Sequence, residues 1–116
     1  MEVSDVTVAL PVSDLDSAVT WYRQVLELAE PDAEPAGGVV EFRVGSAWLQ
    51  LGEEPTTRSG AQVVTRLGVG DAGRERERLD RLGVSVGPLE HVPGVVDYFD
   101  FTDADGNVLS MYTELG

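Results

Sequence analysis

The stretch Val8-Ala9-Leu10-Pro11-Val12-Ser13-Asp14-Leu15-Asp16-Ser17-Ala18-Val19-Thr20-Trp21-Tyr22 decides how this chain is read. Up to Val12 it alternates: Val6, Val8, Leu10 and Val12 are apolar, the period of a strand with one covered face. Ser13 with Asp16 then reads as a capping box, and the period changes. Leu15, Ala18, Val19, Tyr22, Val25 and Leu26 recur at spacings of three and four, which predicts a helix over 15–26 with that side buried.

The same punctuation returns half a chain later. Val12-Ser13-Asp14 is echoed by Val69-Gly70-Asp71, an offset of 57 in 116 residues. Thr65, Leu67 and Val69 supply the strand pattern before it, and Asp71 is an N-cap with Glu75 nearby. A helix over 72–82 follows, ending at Gly83 as the C′ residue. Its apolar stripe is thin, Ala72, Leu79 and Leu82, which places it at the surface. Gly/Pro-rich turns and more strand pattern come after each helix, over 39–44 and 47–51 in the first half and over 95–101 and 107–113 in the second. Ala47-Trp48-Leu49-Gln50-Leu51 matches Asn107-Val108-Leu109-Ser110-Met111 at an offset of 60, so the second half carries a small insertion.

These patterns predict an α+β fold of two βαβββ modules in one domain, module one about residues 1–56 and module two about 60–116. Each has a curved mixed sheet backed by a helix. Strand parity puts Leu49, Leu51, Leu109 and Met111 on the helix-covered face. It sends Thr7, Ala9, Trp48, Gln50, Val64, Arg66, Val108, Ser110 and Tyr112 to the opposite face, where a ligand cavity is expected. Tyr98 and Asp100 share one strand face, Phe99 and Phe101 the other. The pattern alone leaves open which pair looks inward.

Composition narrows the function. The chain is 25% charged and 42% hydrophobic, with 21 acidic against 8 basic residues and a formal net charge of −13. That field repels phosphate backbones and anionic lipid, which argues against nucleic-acid and membrane partners and favours a cationic or neutral small ligand. The absence of Cys excludes disulfides and thiolate chemistry, and His91 is the only His. The longest uncharged run, Val44 to Gly52, has nine residues, against roughly 20 needed to span a bilayer. Glu2 and Asp5 stand where a signal peptide would be positive, so a cytoplasmic location is expected.

Several motifs have plain readings beside functional ones. Gly68-Val69-Gly70-Asp71-Ala72-Gly73 fits G-x-G-x-x-G, yet Asp71 would face the pyrophosphate and no doubly wound sheet is evident; it reads as a strand-to-helix connection. Asp103, Asp105, Asn107 and Glu114 fall at calcium-loop spacings, but Gly106 stands too early and a strand follows, so a tight turn is expected. The run from Arg74 to Arg81 alternates in sign, as a solvated helix face does. His91 beside Glu90 is the best acid–base candidate, its plain reading an exposed loop residue between Pro88 and Pro93. Arg66 points inward by parity, and the other basic residues outside helices are only Arg43 and Arg58. It can anchor an anionic or carbonyl group or form a structural ion pair. Trp48, Tyr112 and Tyr98 are candidates to stack on a planar ligand, while core filling is the plain role for Phe99 and Phe101.

The opening stretch with Val25-Leu26-Glu27-Leu28, and the closing Phe101-Thr102-Asp103-Ala104-Asp105-Gly106-Asn107-Val108-Leu109-Ser110-Met111, resemble the vicinal oxygen chelate superfamily. This is the glyoxalase, bleomycin-resistance and extradiol dioxygenase group, built from paired βαβββ modules. Ala104 stands where Pro is usual. Metal-dependent members place His or Glu ligands on the module-opening and module-closing strands. The resemblance carries those places to Thr7, Gln50, Val64 and Ser110, none a His or carboxylate. It therefore implies that the divalent-metal site is lost, that no cofactor is needed, and that a homodimer pairs modules between chains. The leading expectation is metal-free binding of a small cationic or aromatic organic molecule, with ligand contacts from Thr7, Trp48, Gln50, Arg66, Tyr98, Ser110 and Tyr112. The alternative is a glyoxalase-like lyase, isomerase or dioxygenase with metal ligands moved to Glu41, His91, Asp97 or Asp100, or a metal-free catalyst using His91. A third is an interaction module whose cavity has been filled by Val64 and Val108.

Overall fold

The opening alternation becomes a strand because only every second residue finds cover. The computed structural model describes residues 1–55 and 63–116, and the chain divides into two units, Met1–Ser59 and Gly60–Gly116. Arg58 lies outside the described residues. In the first unit β1 (Thr7–Val12) leads into α1 (Leu15–Val25), followed by β2 (Ala33–Ala36), β3 (Val39–Val44) and β4 (Ala47–Glu53). The sheet order is β1-β4-β3-β2, with β1 parallel to β4 and the other pairs antiparallel. Pro11 is accommodated because β1 is an edge strand. Leu10, Val12, Val40, Phe42, Leu49 and Leu51 are buried from the sheet, with Tyr22 and Val25 from α1. The tight β3–β4 turn places Gly45 at φ +57°, a conformation that favours glycine.

Two details differ from the sequence reading. The N-cap of α1 is Asp14, whose side chain accepts from the Ser17 N–H at 3.2 Å, so the cap lies one residue beyond Ser13. Aspartate serves as well as serine there, and adjacent cap formers leave the choice to tertiary geometry. The Ala33-Glu34-Pro35-Ala36 stretch, within a region expected to be turn, forms β2. Its pairing with β3 is irregular between Ala33 and Ala36, and the sheet edge tolerates Pro35.

The second unit repeats the plan: β5 (Thr65–Gly68), α2 (Ala72–Arg81), β6 (Ser85–Val86), β7 (Glu90–Val92), β8 (Val96–Thr102) and β9 (Val108–Glu114). The order is β5-β9-β8-β6, with β7 also pairing β8. Two short strands thus stand where the repeat predicts one, separated by Gly87-Pro88-Leu89; proline offers no N–H to continue the ladder. His91 consequently sits on a strand opposite Asp97, not in a loop. Phe99 and Phe101 are fully buried on the helix side with Leu109 and Met111, so Tyr98 and Asp100 face the other way. The thin stripe of α2 holds at Ala72 and Leu79, both buried; Leu82 is 41% exposed and is not part of it. Gly83, at φ +83°, ends the helix.

Register makes the internal repeat quantitative. Ala9 stands opposite Gln50, and Arg66 stands opposite Ser110, reproducing the offsets of 57 and 60. Both helix starts are held from the closing strand: Leu15 N–H donates to Glu53 Oε2 and Ala72 N–H to Thr113 Oγ1, each at 2.8 Å. The insertion is also located. Glu41 faces Gln50 whereas Asp100 faces Ser110, so one residue is added in the β8–β9 turn and two lie before β8. Among the described residues no helix is long and apolar enough to cross a membrane.

Candidate functional site

On the face of the first sheet away from α1, register aligns two rows. Thr7, Trp48 and Arg43 form one; Ala9, Gln50 and Glu41 form the next. Both rows are internally satisfied. The Arg43 guanidinium lies over the Trp48 ring, 5.1 Å from its centroid, and its Nη1 is 3.5 Å from Asp5 Oδ1. Gln50 Nε2 donates to Glu41 Oε2 at 2.8 Å. Trp48 is therefore a half-buried aromatic surface already covered by a cation of its own chain. Sequence reasoning named Thr7, Trp48 and Gln50 but missed Glu41 as the partner of Gln50 and Arg43 as the cover on Trp48, because cross-strand neighbours follow from register.

The second sheet presents a different surface. One row holds Arg66, Ser110 and Asp100; the next holds Gly68, Tyr112, Tyr98 and Glu90. Ser110 is 0% exposed, and its Oγ accepts from Arg66 Nη1 at 3.3 Å. Arg66 itself is exposed, and among the described residues no carboxylate forms an ion pair with it. The structural ion pair weighed as its plain role is thus not formed. Gly68 fixes the neighbouring tyrosine: a Cβ there would stand 3.1 Å from the Tyr112 hydroxyl and 3.2 Å from Cζ. The ring lies across this glycine, which brings its hydroxyl end over the edge strand. The other glycines of the G-x-G-x-x-G pattern are not required by close packing against the chain. A Cβ at Gly70 would meet nothing within 4 Å, and one at Gly73 would make only ordinary contacts.

His91 is placed apart from these side chains. Its Nδ1 lies 2.5 Å from Asp97 Oδ1, on the β8 face opposite Tyr98, and its side chain is 59% exposed. Glu90, its sequence neighbour, points the other way by alternation. The calcium-loop spacing is occupied by turn chemistry. Asp103 Oδ1 accepts from the N–H groups of Asp105 and Asn107 at 2.9 and 2.8 Å, and Oδ2 accepts from Asn107 Nδ2 at 2.7 Å.

A metal finds little to bind at the four places carried over from metal-dependent relatives. Val64 has no donor atom, Thr7 and Ser110 offer only hydroxyls, that of Ser110 engaged by a guanidinium, and Gln50 offers a neutral amide oxygen while its nitrogen donates to Glu41. Among the described residues no three His, Asp or Glu side chains converge on one point. Glu41 is paired with Gln50, while Asp97 and Asp100 lie on opposite faces of β8. The donor set does not fit a divalent cation.

Two repeats of a mixed sheet, each with one helix on one face, define this as an α+β protein of the paired βαβββ type. The profile of the glyoxalase/bleomycin resistance protein/dioxygenase superfamily matches residues 6–111, and the chain belongs to that superfamily. Solved structures share the fold. The fosfomycin resistance protein FosX of Listeria monocytogenes is 18% identical, with a TM-score of 0.79 and coverage of 97% of this chain and 93% of that one. A lactoylglutathione lyase of Agrobacterium tumefaciens is 24% identical, with a TM-score of 0.74 over 93% and 91% of the two chains. A glyoxalase/bleomycin resistance protein of Catenulispora acidiphila is 22% identical, with a TM-score of 0.74 over 94% and 96%. No curated protein matches the chain.

Proposed function

We propose that this protein binds a small organic molecule, aromatic or cationic, without a metal. The observation that carries the reading is the guanidinium of Arg66 on Ser110 Oγ. A fixed positive charge beside a strand position that holds a metal ligand in metal-dependent relatives opposes a divalent ion there. On the same sheet face as Arg66, Tyr98 and Tyr112 are groups suited to a planar molecule; within the first unit, Trp48, Thr7 and Gln50 share the sheet face away from α1 and are proposed as further ligand contacts. The net charge of −13 favours a ligand with a cationic centre in the surrounding field. The chain acts as a homodimer in this reading, with modules paired between protomers.

A compound panel followed by thermal shift tests it. Aromatic and cationic natural products raise Tm, with a shift that grows about logarithmically with ligand concentration above Kd, since binding to the native state alone stabilises it. A silent broad panel contradicts the reading, and light scattering after size exclusion tests the dimer.

One observation favours a catalytic alternative. The His91–Asp97 contact orients an imidazole as a base-and-orienter pair does, leaving Nε2 outward. That reading requires turnover that disappears in His91→Ala; unchanged turnover removes it.

A further inference from the structure

Of the basic residues, Arg66 differs in its surroundings. Arg23 pairs with Glu30 at 3.0 Å, Arg78 with Glu75 at 3.0 Å and Arg43 with Asp5, while Arg76 donates to the carbonyl of Gly87. Among the described residues Arg66 is the one arginine on the helix-free face of the second sheet, and its fork is held at one end by a fully buried serine. Fixing one nitrogen reduces the freedom lost when the other N–H groups meet a ligand. The Tyr112 hydroxyl lies over Gly68, two residues further along the same face of β5, so a phenolic O–H and a guanidinium belong to neighbouring rows of one sheet face.

Resting on the small-molecule reading above, we propose that this face selects an aromatic acid. Its carboxylate takes two parallel N–H donors from Arg66, the Tyr112 hydroxyl donates to it or to an adjacent oxygen, and its ring lies against Tyr98 and Tyr112. A planar two-oxygen anion matches the guanidinium fork in a way that a spherical ion or an amide does not. Asp100 and Glu90 stand in the same two rows and oppose an anion at short range, so the bidentate contact with Arg66 has to outweigh them; the charge of the rest of the chain is screened beyond about 8 Å at physiological salt.

Naphthalene-2-carboxylate and its uncharged isostere naphthalene-2-carboxamide, titrated calorimetrically into the full chain, test the proposal. The carboxylate binds about ten- to a hundredfold more tightly than the carboxamide, the size of a charge-assisted hydrogen-bonded contact. Arg66→Gln brings the carboxylate down to the carboxamide level and weakens the carboxamide, whose carbonyl makes only a single contact, much less. Because Arg66 is exposed, this variant keeps the wild-type Tm, which is measured alongside. Tyr112→Phe weakens the carboxylate severalfold. Equal affinity for both probes, or carboxylate binding that survives Arg66→Gln, overturns the aromatic-acid assignment while leaving small-molecule binding standing. Failure of the carboxylate to bind overturns it as well; a compound panel that is also silent removes the underlying reading.

Discussion

Replacing Asp103 by alanine separates a structural turn from an ion-binding loop, and its effect is at least that of three bonds its carboxylate makes among the described residues. The carboxylate accepts two backbone N–H groups and the side-chain amide of Asn107, a residue only 3% exposed. Hydrogen bonds to a charged acceptor contribute about 1.5–3 kcal/mol each, but the Asp105 N–H at the turn recovers water when its partner is lost. The buried Asn107 amide does not, so the net loss is about 2–4 kcal/mol. For a domain of this size each kcal/mol lowers Tm by about 4 °C, giving a fall of about 8–16 °C. Asp103→Asn keeps one acceptor for the two backbone donors and sets a donor against Asn107, so it falls between wild type and alanine. Urea denaturation supplies the free energies, and calcium added to wild type leaves the midpoint where it was. An alanine variant within about 0.5 kcal/mol of wild type, the range of an ordinary surface change, refutes the turn argument. So does a calcium-dependent gain in stability that the variant abolishes.

Three further outcomes follow from local geometry. Thr113→Val removes the acceptor for Ala72 N–H and the donor to Val69 O without changing shape; it destabilises by about 1–3 kcal/mol, and Thr113→Ser restores most of that in chemical denaturation. Gly68→Val drives methyl groups into the Tyr112 phenol; a loss of about 1–3 kcal/mol and a displaced Tyr112 ring resonance are expected, and an unmoved resonance contradicts the contact. Arg43→Ala uncovers Trp48 at a stability change below about 1 kcal/mol, and acrylamide quenching in a Trp21→Phe background rises. Unchanged quenching rejects the stacked arrangement.

The fold was legible where local pattern and tertiary environment agree. Val12-Ser13-Asp14 and Val69-Gly70-Asp71 announce both strand-to-helix junctions, and the offsets of 57 and 60 reappear as the Ala9–Gln50 and Arg66–Ser110 register. Strand parity assigned Trp48, Gln50, Ser110 and Tyr112 to their face because a period of two survives any tertiary adjustment. What escaped depends on neighbours. β2, β6 and β7 are short pieces of two to four residues, too brief for an alternation to show and with Pro35 inside β2, and they are made strands by the partner they meet. The α1 cap fell on Asp14 because Ser13 and Asp14 are equally competent side chains and Glu53, 38 positions away, completes the helix start. The Glu41–Gln50, Arg43–Trp48 and His91–Asp97 contacts need register before they can be seen. Gly68 carried a signal in its place two residues after Arg66, yet its role as the seat of Tyr112 needs the ring's position.

In the proposed reading the Arg66 guanidinium on Ser110 stands where the resemblance puts a metal ligand, and no divalent ion binds there. Metal content of protein purified without chelator or nickel resin, followed by titration with Mn, Fe, Ni, Zn and Mg while Tm is read, tests it most directly. Wild type is expected to hold sub-stoichiometric metal and to show no saturable shift. One ion per chain, with a shift that saturates at that ratio and is lost in Gln50→Ala, would contradict it.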